Sequence, residues 1–141
     1  MHQPHEVLDL LSGSGAGYTL PQPFYSDPGV FGFDMSHIFG RSWLMIGFEA
    51  ELPDAGCHMA VTFGPNSVFV VRGRDGMIRG FHNTCRHRGS LICADGHGRS
   101  AKLICPYHKW TYELDGRLIG AARMPPDLRA DDYGLRPIRV E

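Results

Sequence analysis

Long apolar runs are missing from this 141-residue sequence, and so is a strong charge of one sign. Lys and Arg number 14 against 15 Asp and Glu, a formal net charge of −1. No preference for nucleic acid or for an anionic membrane surface follows from that balance. The first basic residue is Arg41, and no apolar stretch near the start is long enough for a secretory leader or a membrane span. The expectation is a cytoplasmic chain without leader or anchor. Internal repeats are absent as well. Cysteine is scarce, with only Cys57, Cys85, Cys93 and Cys105 present. The size fits one domain with a modest core.

What is there is concentrated in one stretch. It reads Cys85-Arg86-His87-Arg88-Gly89-Ser90 and, after a spacer, Cys105-Pro106-Tyr107-His108-Lys109-Trp110. Each half carries one thiolate donor and one imidazole donor, as C-x-H and C-x-x-H. Two thiolates with two imidazoles suit either tetrahedral zinc or a Rieske [2Fe-2S] centre, in which His replaces Cys on one iron. Zinc fingers pair like with like, C-x2-4-C followed by H-x3-5-H. Here each loop mixes the two, which a two-iron cluster needs if each loop sends Cys to one iron and His to the other. Gly89 and Pro106 suit tight loops whose backbone N–H groups turn toward sulfide. The zinc reading and a bland reading as four core residues remain as alternatives. Cys57 and Cys93 then read as buried or idle thiols, not as a disulfide.

Along the chain, Val7, Leu8, Leu10 and Leu11 suggest a helical turn before the glycine-rich tether of residues 13–17. Pro21–Ser26 reads as extended. Asp27-Pro28 reads as a helix start, an N-cap followed by proline at the first helical position, and Phe31, Met35, Ile38 and Phe39 at helical spacing predict a helix over about 28–40 with these residues in the core. Strands are predicted for Trp43–Phe48, Cys57–Phe63, Val68–Arg72 and Met77–His82. Turns at Gly64-Pro65-Asn66 and Arg74-Asp75-Gly76 separate the last three. Gly96-His97-Gly98 reads as a glycine-rich excursion between the ligand loops. Lys102–Ile104, Thr111–Leu114, Arg117–Ile119 and Leu135–Val140 complete the strands, with a surface loop at Met124–Asp132. His2 and His5 read as solvated, His37 as exposed, and His58, His82 and His97 as strand or loop residues without a partner at metal spacing.

The string C-R-H-R-G…C-P-Y-H-x-W-T-Y-x-x-D-G resembles the Rieske domain that begins the α-subunits of the ring-hydroxylating, or Rieske non-haem iron, oxygenases. The resemblance spans residues 22–141 and extends upstream to Phe24-Tyr25-Ser26-Asp27-Pro28, Ile38-Phe39 and Ser42-Trp43. It implies a mainly β fold, a Rieske-type antiparallel β-sandwich with a cluster-binding subdomain, preceded by one α-helix. Residues 1–40 would be the arm and helix, and 41–141 the Rieske domain. By position, Cys85 and Cys105 would bind the inner iron of a [2Fe-2S] cluster, and His87 and His108 the outer iron. No catalytic residue is expected. The texture around Cys85–Ser90 is similar to members that demethylate small quaternary amines.

The resemblance also implies differences and partners. The Rieske proteins of cytochrome bc complexes carry an additional Cys in each loop, where this chain has Ser90 and Tyr107, so their disulfide cannot form. They also place a Ser that bonds a cluster sulfur where this chain has Trp110. Fewer such bonds predict a potential at the low end of the Rieske range, about −150 mV. Oxygenases of the family hold a mononuclear iron by two His and a carboxylate in a C-terminal domain. The sequence ends at Glu141, where that domain would begin, so this iron site is expected outside these residues. Partners implied are a flavin or ferredoxin reductase as donor, a catalytic domain of the same or a neighbouring subunit as acceptor, and a homotrimer at full length. The alternatives are a stand-alone Rieske ferredoxin and a zinc-stabilised binding module. The metal is also expected to tie together two loops with little else to pack against.

Overall fold

The computed structural model describes residues 3–122, 124–125 and 127–141. Two sequence expectations therefore touch residues outside the described set, the solvated His2 and the Pro126 part of the surface loop. The chain divides into two compact units, one ending at Met45 and one beginning at Ile46.

In the first unit α1 spans Pro4–Leu11, a full helix where only a turn was expected. The Gln3 N–H donates to Glu6 Oε2 at 2.6 Å, which satisfies a free donor at the helix start. α2, Pro23–Ser26, replaces the expected extended stretch. Its cause is local: proline presets the first turn, and the Asp27 N–H returns to Pro23 O at 2.9 Å. α3 spans Pro28–His37. As the Asp-Pro signal predicted, Asp27 Oδ1 accepts from the N–H groups of Gly29 and Val30 at 2.7 and 3.0 Å.

The aromatic stripe of α3 does not form the core the sequence suggested. Val30 is its only buried residue, while Phe31 is 61% exposed and Ile38 and Phe39 lie at the surface. Helical spacing shows which residues share a face, but burial also needs an opposing surface, and short α1 and α2 offer little of it. His37, expected on the exposed side, is half-buried and stacked on Phe33 with ring centroids 4.2 Å apart.

The second unit is mainly β. β1 (Cys57–Phe63), β2 (Asn66–Arg72), β3 (Ile78–His82), β4 (Gly96–Arg99) and β8 (Pro137–Ile138) form an antiparallel sheet in the order β4-β1-β2-β3-β8. β5 (Leu103–Ile104), β6 (Thr111–Tyr112) and β7 (Leu118–Gly120) form a second, antiparallel, three-stranded sheet. β2 reads Asn-Ser-Val-Phe-Val-Val-Arg because both of its faces are covered. Phe69 and Val71 enter the larger core with Ala60 and Phe81, while Val70 joins Leu52 and Met59 in a smaller one. The larger core also takes Leu103, Trp110, Tyr112, Leu114 and Leu118, so both sheets share it.

Two strand assignments change. Trp43–Phe48 forms no strand, and Trp43 is 60% exposed. Its apolar and aromatic content suits a strand, yet a strand needs a ladder, and this stretch pairs with no strand of either sheet. Conversely, the Gly96-His97-Gly98 excursion is strand β4, paired with β1 from Cys57↔Arg99 to Ala60↔Gly96. Glycine is required there by close approach, because a Cβ on Gly98 would meet His58 Nε2 at 2.5 Å. Part of the expected surface loop is also ordered, as a 3-10 turn over Ala130–Tyr133.

Candidate metal centre

Cys85–Ser90 follows β3, and Cys105–Trp110 joins β5 to β6. The two loops share one backbone frame. In the first, the Cys85 N–H donates to Ser90 O at 2.8 Å and the Gly89 N–H to Cys85 O at 3.0 Å. In the second, the Cys105 N–H donates to Trp110 O at 2.8 Å and the Lys109 N–H to Cys105 O at 3.1 Å. The fourth residue after each Cys is left-handed, Gly89 at φ 74° and Lys109 at φ 61°. Lys109 is the only non-glycine residue with positive φ among the described residues. The frames differ in where the imidazole sits: His87 is two residues beyond its Cys, His108 three.

This placement sorts the donors by depth. Cys85 and Cys105 are each 2% exposed and lie within hydrogen-bonding reach of each other. His87 and His108 are half-buried, with ring centroids 4.7 Å apart and planes inclined at 76°. The His87 ring lies flat on Trp110, with centroids 4.9 Å apart and planes 9° from parallel, and Tyr133 meets Trp110 edge-on. Burial pushes the Cys85 thiol up from its ordinary value, against a lowering hydrogen bond from Tyr112. Burial also pushes Cys105 up, but hydrogen bonds from the backbone of Tyr107 and His108 and from the side chains of Cys85 and Ser90 together hold that thiol below its ordinary value. Such lowering favours the thiolate, which is the form a metal binds.

The donor set fits a two-iron cluster better than a single ion. Tetrahedral zinc needs all four donors around one point. Among the described residues no three His, Cys, Asp or Glu side chains converge on such a point. A Rieske centre divides its donors between two irons, and here the thiols form a buried pair and the imidazoles a shallower one. Arg86 Nε and Trp110 Nε1 are buried without an acceptor among the described residues, which suits a neighbour rich in sulfur acceptors. Of the other thiols, Cys93 is buried and pushed up to about 11 by that burial, and Cys57 is half-buried. His5 and His82 are exposed. His97 lies 3.3 Å from Glu51 Oε1, and His58 is buried, its Nδ1 3.1 Å from Gly56 O. Neither His58 nor His97 is brought to the pair of loops.

Two residues that the sequence reading did not single out hold the loops in place. Tyr112 is fully buried, with its Oη 3.4 Å from Cys85 Sγ and accepting from the Arg86 N–H at 3.1 Å. Asn83 is also fully buried. Its Nδ2 donates to Ser67 Oγ at 3.1 Å and Cys93 O at 2.8 Å, and its Oδ1 accepts from the N–H groups of Ile92 and Cys93 at 3.0 Å each. The sequence carried a weak signal for Asn83, a polar residue where a strand runs into a ligand loop. The expectation that the loops have little to pack against is corrected here, since Cys85, Cys105, Trp110 and Tyr112 all belong to the larger core.

Known proteins agree with this geometry. Residues 42–134 match the Rieske [2Fe-2S] domain family. The sequence is 48% identical over 135 residues to the glycine betaine monooxygenase oxygenase subunit of Chromohalobacter salexigens, covering 95% of this chain and 30% of that protein. It is 40% identical to the biphenyl 2,3-dioxygenase subunit alpha of Rhodococcus jostii, covering 96% of this chain and 29% of that one. Among solved structures, naphthalene 1,2-dioxygenase from a Rhodococcus species matches with a TM-score of 0.82 at 31% identity, over 94% of this chain and 31% of its own. The apo form of a quaternary ammonium Rieske monooxygenase matches with a TM-score of 0.78 at 30% identity, over 87% and 36%. The chain thus spans roughly a third of the length of the proteins it resembles, and it is similar to the Rieske part of oxygenase α-subunits. From the paired loops and the match over residues 42–134, the chain belongs to the Rieske [2Fe-2S] domain family, whose members bind a [2Fe-2S] cluster.

Proposed function

We propose that the chain transfers single electrons as the Rieske domain of an oxygenase terminal component. The observation that carries this is the sorting of donors by depth, a buried thiol pair behind a half-buried imidazole pair. Cys85 and Cys105 would hold the inner iron, and His87 and His108 the outer one. The cluster, when bound, supplies a site that takes up and releases one electron at a time. The protein's own residues keep the thiolate end dry, give Cys85 Sγ a hydrogen-bond partner in Tyr112 Oη, and fix the plane of His87 against Trp110. The imidazole end is the route by which electrons enter and leave. The electron-transfer domain is residues 41–141, with 1–40 as an appended arm and helix. The unit boundary after Met45 and the family match from residue 42 support that division.

The donor would be a flavin or ferredoxin reductase. The acceptor would be a mononuclear iron in a catalytic domain of the same or a neighbouring subunit, within a cytoplasmic homotrimer. Among the described residues no helix is long and apolar enough to cross a membrane. The similarity to a glycine betaine monooxygenase subunit supports a small quaternary amine as the substrate of the whole oxygenase. The reduced, loaded protein is expected to give the rhombic electron paramagnetic resonance signal of a Rieske centre, with a midpoint of about −150 mV. A colourless protein binding one zinc would refute the reading. A midpoint of +200 mV or more would refute its low-potential part.

A further inference from the structure

His58 is a buried polar side chain with half of its hydrogen-bonding capacity unused. It lies on the same face of β1 as Ala60, which enters the larger core, and it is only 8% exposed. Its Nδ1 is 3.1 Å from Gly56 O. A carbonyl can only accept, so Nδ1 carries the proton there, and Nε2 of the neutral ring keeps its lone pair. Nε2 has no hydrogen-bond partner among the described residues. An apolar residue at this buried position would avoid the cost of a half-satisfied imidazole. The neighbouring strand is nonetheless shaped to the ring. Gly98 stands opposite His58 in β4, and a Cβ there would lie 2.5 Å from Nε2.

His58 lines a cavity of about 560 Å³, a size at which small molecules are held. With Nδ1 turned back to Gly56, Nε2 is the polar atom that His58 offers to it. Ile92, Cys93, Leu103 and Ile104 give the cavity apolar walls, and Cys93, pushed up to about 11 by burial, is an uncharged thiol there. Lys102 also lines the cavity, but its Nζ is 3.6 Å from Glu113 Oε1, so its charge already has a carboxylate. One acceptor among apolar walls selects an uncharged, largely apolar molecule with a single donor.

We infer that this cavity is a binding site for a small phenol, its ring against Ile92, Leu103 and Ile104 and its O–H donating to His58 Nε2. The site goes beyond the electron-transfer function proposed above, because none of Cys85, His87, Cys105 and His108 lines it. A hydroxyl bound in this way satisfies the buried imidazole. The methyl ether of the same ring leaves it unsatisfied, so the site discriminates between the two.

The test is titration calorimetry of the oxidised, cluster-loaded protein with phenol and with anisole, at about pH 8, where imidazoles and phenols are uncharged. Phenol is expected to bind saturably at one site with a Kd in the millimolar range, and anisole at least about threefold more weakly. His58→Phe keeps a ring and removes the acceptor. It should weaken phenol about threefold or more and leave anisole unchanged. Ala94→Phe, at an exposed position that lines the cavity, should weaken both probes without altering the core, so the proposal stays testable if His58→Phe does not fold. In unmodified protein isotopically labelled at histidine nitrogen, phenol should move the His58 Nε2 resonance and anisole should not. Absence of saturable phenol binding would overturn the proposal, as would equal affinity for phenol and anisole. So would phenol binding that Ala94→Phe leaves unchanged, or a phenol-induced shift at His87 or His108 with none at His58.

Discussion

The loop from Cys85 to Ser90 and the loop from Cys105 to Trp110 have the same backbone and different means of support. The second loop is part of a hairpin: β5 leads in, β6 leads out, and Leu103, Trp110 and Tyr112 sit in the core on either side of it. The first loop has a strand only on its entry side. Side chains from elsewhere hold it, with the Tyr112 hydroxyl at its start and Asn83 binding the segment beyond it at Ile92 and Cys93. One frame can therefore rest on sheet continuity or on a few buried hydrogen bonds. The two loops should tolerate different damage.

The largest effect should not distinguish them. Cys85→Ser and Cys105→Ser are each expected to abolish the visible chromophore and the rhombic signal, whereas Cys57→Ser and Cys93→Ser leave both intact. Survival of the signal in either of the first pair would break the equivalence of the loops. Next comes the support of the first loop. Asn83→Ala leaves the Ile92 and Cys93 N–H groups without their acceptor, and a loss of about 2–4 kcal/mol is expected in denaturant unfolding. In the second loop, Thr111→Ala removes only an exposed bond to Lys109 O and should cost less than about 1 kcal/mol. Equal losses would mean that the loops are held alike.

The left-handed positions give a third and smaller contrast. Gly89→Ala should destabilise by about 1–2 kcal/mol, because its φ is 74°, even though the new methyl touches nothing. The smallest expected effect is redox. Tyr112→Phe removes the hydroxyl 3.4 Å from Cys85 Sγ, and with it stabilisation of the added negative charge. Potentiometry should show a fall of roughly 50 mV, close to a tenfold change in a one-electron equilibrium. A rise would show that the hydroxyl accepts instead of donating.

The parts of this molecule that were legible in the sequence are those whose cause is local. The Rieske family was legible in the two Cys-His loops by residue type and spacing, and β1 to β3 in apolar runs closed with turn residues. The Asp27-Pro28 helix start is equally local. Partnership across the chain was not legible. Trp43–Phe48 has strand composition but no ladder to join, while Gly96–Arg99 has none of that composition and is a strand because β1 offers it an edge. Tyr112 reaches Cys85 across 27 residues, and Asn83 reaches Cys93 across 10, separations that no short-range pattern encodes.

Asn83 has a consequence for hydrogen exchange. Its amide has two donors and two acceptor lone pairs, and all four are used within the chain. The segment beyond the first loop is therefore tied to Asn83 through the polypeptide's own groups, besides the packing of Ile92 and Cys93 with the core. The expected consequence is that a protein stripped of its iron still protects the Ile92 and Cys93 amide protons from exchange, and that Asn83→Ala removes this protection.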